Sequence, residues 1–112
     1  MNSKNKIIRL ELIKIYGKIC MLGDVITLDN YITLHHLIKR KFNGPTTIKN
    51  GALLSKLMHE YLHFIENWYY GEYEYINDYL RYYKETRDDE ERKRMNAYVK
   101  KLTREIKNEK RI

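Results

Sequence analysis

Four histidines and one asparagine, spaced as His35-His36, Asn50 and His59-x-x-x-His63, constrain this 112-residue chain more than any other feature. Positions four apart on a helix are neighbours, so a helix through residues 59 and 63 presents both rings on one face. The segment 31–38, Tyr-Ile-Thr-Leu-His-His-Leu-Ile, is rich in β-branched and aromatic residues and predicts a strand. Successive strand residues point to opposite sides. His35 can therefore join His59 and His63 around one divalent ion while His36 stays outside that set. An unliganded imidazole titrates near neutrality and is suited to taking a proton from water. Three neutral imidazoles favour zinc, nickel, cobalt or manganese over calcium. Asn50, at the base of the intervening loop, can bond backbone groups across it and hold His36 in place.

The rest of the chain supplies elements that could carry this set. Residues 5–16 show a helical apolar pattern stopped by Gly17, and turn signals stand at Gly23-Asp24 and Asp29-Asn30. A basic loop over 39–49 is punctuated by Asn43-Gly44-Pro45, with the chain's one proline. Residues 50–54 predict a second strand, and Ser55 an N-cap for a helix reaching about residue 70, with Met58, Leu62 and Ile65 inward. Gly71 is expected to break the pattern before a tyrosine-rich helix over 72–85. A charged helix over 88–110 follows, with Asp88, Asp89, Glu90 and Glu91 at its start and Lys107, Lys110 and Arg111 at its end, as the helix dipole favours. Its narrow stripe (Met95, Tyr98, Val99, Leu102, Ile106) calls for a partner surface, in cis or in a second subunit. The expected class is α+β, with residues 1–70 as a strand–strand–helix core behind an N-terminal helix. Residues 71–112 are read as a helical extension packed on that core or on a second copy.

Charge narrows the partner class. The net charge is +7, and from residue 35 to 56 the chain carries Lys39, Arg40, Lys41, Lys49 and Lys56 with no acidic residue. Such a segment favours polyanions, because each phosphate contact releases condensed counterions. Lys39, Arg40, Lys41 and Lys49 are the expected phosphate contacts, against a competing reading as plain solubilising charge. From Lys84 onward eleven cations mix with seven anions, which makes the last helix a poor nucleic-acid track. Eight of the eleven tyrosines fall between residues 61 and 83. Their helical recurrence with Ile76 and Leu80 (Tyr69, Tyr73, Tyr83) favours packing over base stacking. One cysteine, Cys20, excludes an intrachain disulfide and a four-cysteine zinc site. No apolar run nears the roughly 20 residues of a bilayer span, and a cytoplasmic protein is expected.

The constellation resembles the HNH endonuclease family, the ββα-metal fold, and within it the colicin-type site whose metal ligands are all histidines. The resemblance spans about residues 7–65 and rests on Arg9, Tyr16-Gly17-Lys18 and Cys20, on Leu34-His35-His36-Leu37-Ile38, on Asn43-Gly44-Pro45-Thr46-Thr47, on Asn50-Gly51-Ala52-Leu53-Leu54 and on His59 with His63. It implies metal-dependent cleavage of DNA, with His36 as general base, Asn50 orienting the loop, and His35, His59 and His63 holding one divalent metal ion (zinc, nickel, manganese or magnesium). Many family members add a structural zinc on two Cys-x-x-Cys pairs. Here only Cys20 remains, with Gly23, Ser55 and Met58 at the other three places, so apolar packing has to hold that region. Lys39 also stands where a proline is common. Two other readings compete: a catalytically silent binding or inhibitor module of the same fold, of phage or defence type, and a zinc metalloprotease. The latter rests on His59-Glu60-Tyr61-Leu62-His63, a literal His-Glu-x-x-His. It leaves His35, His36 and Asn50 without a role.

Overall fold

The computed structural model describes residues 3–110. It is an α+β fold with four helices and one two-stranded antiparallel sheet, in the order α1 (Ser3–Tyr16), β1 (Ile32–His36), a 3-10 turn (Arg40–Phe42), β2 (Gly51–Ser55), α2 (Lys56–Trp68), α3 (Tyr70–Thr86) and α4 (Asp89–Glu109). No helix among these residues is long and apolar enough to cross a membrane.

α2 is the centre of the packing, with the hairpin, α3 and α4 all against it. Its Met58, Leu62 and Ile65 are buried, the inward face expected from the 3–4 spacing. Ser55 ends β2 and caps α2 at once: its hydroxyl accepts from the Met58 amide (3.1 Å) and donates to Asp24 Oδ2 (2.7 Å). α3 adds Tyr73, Ile76, Leu80 and Tyr83 to the same core, and α4 adds Met95, Val99 and Ile106. The apolar stripe of the last helix thus docks in cis, on α2. Asp88 caps that helix by accepting from the Glu91 amide (3.2 Å).

The expected elements are present with boundaries shifted by one or two residues, and two of the shifts have a clear cause. The break between α2 and α3 falls at Tyr69 (φ −139°, ψ 86°), two residues before Gly71, and the Tyr69 amide closes α2 on the Ile65 carbonyl (2.8 Å). Gly71 sits in the exposed first turn of α3, where its backbone freedom costs little. Tyr69 consequently leaves the packing stripe and bonds Glu109 (3.0 Å) at the surface. β1 is also shorter than its β-rich sequence suggests. One more ladder bond follows His36, from the Leu37 amide to the Asn50 carbonyl (2.8 Å), and at Ile38 the Asn50 side chain takes the place of a strand partner.

Around Cys20 the chain is held by protein contacts. Cys20, Met21, Leu22, Ser55 and Met58 are fully buried, and the Met21 amide donates to the Leu53 carbonyl (2.8 Å). α4 lies over this turn: Arg92 donates to the Cys20 carbonyl (3.3 Å) and Asn96 to the Leu22 carbonyl (2.9 Å). Gly23 is required there, since its φ is +72° and a Cβ would meet the Arg92 carbonyl oxygen at 2.6 Å.

Candidate metal centre

The hairpin register pairs His35 with Ala52 and His36 with Gly51, and it turns the His35 ring toward α2. His35, on β1, and His59 and His63, one turn apart on α2, converge: their candidate ligand atoms all lie within 4.8 Å of one another. Ring centroids are 5.3 Å apart for His35–His59, 6.1 Å for His35–His63 and 4.8 Å for His59–His63. These residues can hold a metal ion. Ligand nitrogens about 2.0–2.1 Å from a tetrahedral zinc stand roughly 3.4 Å apart, so closure on an ion asks for small ring rotations.

Hydrogen bonds behind the rings decide which nitrogen each can offer. Thr33 donates its hydroxyl proton to the Leu54 carbonyl (2.9 Å), so toward His59 Nδ1 (2.7 Å) its oxygen can only accept. His59 therefore carries its proton on Nδ1 and keeps the Nε2 lone pair. His63 Nδ1 donates to the Glu66 carboxylate (3.1 Å), which again leaves Nε2. His35 Nε2 donates to Asn77 Oδ1 (2.8 Å), which leaves Nδ1. Every ring has one nitrogen held by an oxygen acceptor and one with its lone pair available, the outer-shell pattern of metal-binding histidines.

Burial keeps two of the rings neutral. His35 is 2% exposed, and desolvation, opposed by the Asn77 bond and helped by the neighbouring imidazoles, pushes its pKa down to about 3. His59 is pushed down to about 4, by burial first and then by His63 and His36. Neither ring has to release a proton to bind an ion at neutral pH. The Glu66 carboxylate, which burial alone would raise, is held below its usual range by Lys39 and His63.

His36 lies outside the triad but borders the same cleft, a cavity of about 340 Å³ whose rim includes Lys39, Arg40, Lys41 and Tyr73. Its Nε2 meets the Thr46 hydroxyl (3.0 Å), and partial burial together with Arg40 lowers its pKa. Asn50 braces the loop as expected. Its carboxamide oxygen accepts from the Ile38 amide (2.9 Å), and its nitrogen donates to the carbonyls of Ile38 (3.0 Å) and Pro45 (2.9 Å). Gly44 is needed in this loop, because a Cβ there would overlap the Ile38 carbonyl oxygen at 1.7 Å.

The four expected phosphate contacts are not equivalent. Lys39 is ion-paired with Glu66, and Lys49 lines a separate cavity beyond Asn50, beside Tyr16 and Lys84. Arg40 and Lys41 remain exposed at the histidine cleft. Glu60, the base in the protease reading, points to solvent and pairs with Lys56 (3.3 Å). The sequence reading missed Thr33 and Asn77, and weighed Glu66 only as a third ligand in the protease alternative. Thr33 could have been found, since it shares the strand face of His35, and Glu66 stands one turn after His63. Asn77 left a fainter signal: an amide set within the apolar stripe of Tyr73, Ile76 and Leu80.

The chain matches no protein-family model, and neither a curated protein nor a solved structure matches it.

Proposed function

We propose that this chain is a metal-dependent nuclease of the HNH type that hydrolyses phosphodiester bonds in DNA. The observation that carries the reading is the convergence of His35, His59 and His63, each with one lone pair available and the opposite nitrogen held by a protein acceptor. A divalent ion held by these rings would supply Lewis-acid stabilisation of charge on a phosphate and its leaving oxygen.

The chain's own groups have separable tasks. His36 accepts a proton from the attacking water on Nδ1, in the tautomer whose Nε2–H donates to the Thr46 hydroxyl. Asn50 sets the position of His36 by pinning the backbone at Ile38, two residues on. Arg40 and Lys41 attract the backbone phosphates to the cleft. One centre per chain makes a single-strand nick the expected product. The protease reading loses support from Glu60, whose carboxylate is turned to Lys56.

The test is nicking of supercoiled plasmid with manganese, magnesium, nickel and zinc in turn, wild type against His36→Ala. A nuclease nicks with at least one ion, and His36→Ala keeps the metal and loses the nicking. If the wild type binds metal and nicks with none of them, the protein is instead a binding module stapled by its ion.

A further inference from the structure

Next to the histidine cleft lies a second, smaller cavity of about 160 Å³, and the two share Lys39 and Tyr73 as wall residues. Three exposed apolar side chains line it, Phe42 (57% exposed), Tyr70 (48%) and Ile38 (48%), beside the polar Glu74, Asn77 and Arg81. Phe42 comes from the 3-10 turn of the basic loop and Tyr70 from the start of α3, so two separate elements each bring an exposed ring to the cavity. Lys41 Nζ lies 5.2 Å from the Phe42 ring centre, and Arg40 precedes it at the mouth of the histidine cleft. An aromatic slot beside cations is the combination that holds an unpaired nucleobase and its phosphate. A space of about 150 Å³ is enough for one six-membered aromatic ring.

Tyr73, 1% exposed, forms the wall common to both cavities, and the Tyr70 ring rests against it with 5.5 Å between centroids. Tyr73, Tyr79 and Tyr83 of α3 are core, and Tyr70, like Tyr75 and Tyr82, is exposed; of these three only Tyr70 lines this cavity.

We propose that the Phe42–Tyr70 slot is a stacking site for an unpaired nucleobase, placed so that the adjoining phosphodiester reaches the histidine cleft. The inference rests on the nuclease reading and narrows its substrate to strands that are single or locally opened.

Binding can be measured without chemistry, in excess chelator at fixed salt, by fluorescence anisotropy of labelled 12-mers: oligothymidylate, oligouridylate and a DNA duplex of equal length. The expected result is tighter binding of a single strand than of the duplex, with the DNA and RNA arms reporting which sugar is preferred. Phe42→Ala and Tyr70→Ala should each weaken single-strand binding about tenfold and leave duplex binding unchanged. Both side chains are exposed, so circular dichroism and thermal melting should match the wild type. Phe42→Tyr and Tyr70→Phe, which keep a ring, should restore the affinity. Unchanged single-strand affinity in both folded alanine variants overturns the proposal, and so does displacement of the oligonucleotide by polyglutamate at equal charge concentration. Neither outcome touches the nuclease reading, which stands or falls on plasmid nicking and His36→Ala.

Discussion

Asn77, on the third helix, holds His35, on the first strand, through a 2.8 Å hydrogen bond between two nearly buried side chains. The carboxy-terminal helices therefore do more than cover the hairpin: one of them fixes which nitrogen of the deepest ring faces its two partners. Asn77→Leu, similar in size and without the acceptor, frees that ring to flip or change tautomer. Outer-shell losses of this kind typically weaken binding 10–100-fold. Competition with a chromophoric chelator for zinc or cobalt should show a loss in that range. An affinity equal to the wild type would mean that His35 is not a ligand or needs no orienting.

Burial of neutral rings makes the metal-free protein sensitive to mild acid. His35 and His59 have folded pKa values of about 3 and about 4 against 6.5 when unfolded. Between those values the unfolded chain binds more protons than the folded one, so stability is whole above pH 6.5 and falls as pH drops toward 4. At pH 5 each ring costs roughly 2 kcal/mol. The acidic groups with lowered pKa, Asp24, Glu66 and Glu91, act only below their ordinary values of 3.8 for Asp24 and 4.5 for the glutamates, in a different window. Urea midpoints in chelator should be flat from pH 8 to 7 and then decline to pH 5. A flat line down to pH 5 would contradict the burial of these rings.

Metal itself should stabilise the fold through the same three rings. An ion that binds only the folded state adds about 2.7 kcal/mol at one hundred times its dissociation constant. Zinc or nickel should raise the melting temperature of the wild type and leave that of a His59→Gln, His63→Gln double variant unmoved. An equal rise in both would place the ion elsewhere.

The hairpin, the capped second helix and the facing histidines were legible because each has a short-range cause: β-branched residues, a serine before a helical stripe, and a four-residue spacing. Asn50 was legible too, since an amide at the base of a loop has backbone groups within reach on both sides. What lay beyond the sequence were contacts across long separations. Nothing local announces that Asn77 faces His35 forty-two positions away, or that α4 lies over the Cys20 turn. The tyrosines illustrate the same limit. Helical spacing identified Tyr73 and Tyr83 as buried, but the break at Tyr69 takes Tyr69 itself out of the stripe.

Lys84 supplies the last prediction, because it ties the tyrosine-rich helix to the loop that carries Asn50. Its ammonium donates to the carbonyls of Ile48 (2.6 Å), Lys49 (2.9 Å) and Gly51 (2.6 Å). Burial, with Arg81 nearby, pushes its pKa to about 8, while three carbonyl dipoles favour the charged form that can satisfy all of them. Lys84→Met keeps the alkyl stem and leaves the three oxygens without their donor, at a cost of about 2 kcal/mol. The loop on either side of Asn50 then loosens, while His35, His59 and His63, on β1 and α2, keep their supports. Cobalt affinity should stay within twofold of the wild type, and plasmid nicking should fall at least tenfold. Lys84→Arg, which restores a multivalent cation, should recover part of the rate. Loss of metal affinity and nicking together would show that Lys84 supports the whole fold and not this loop.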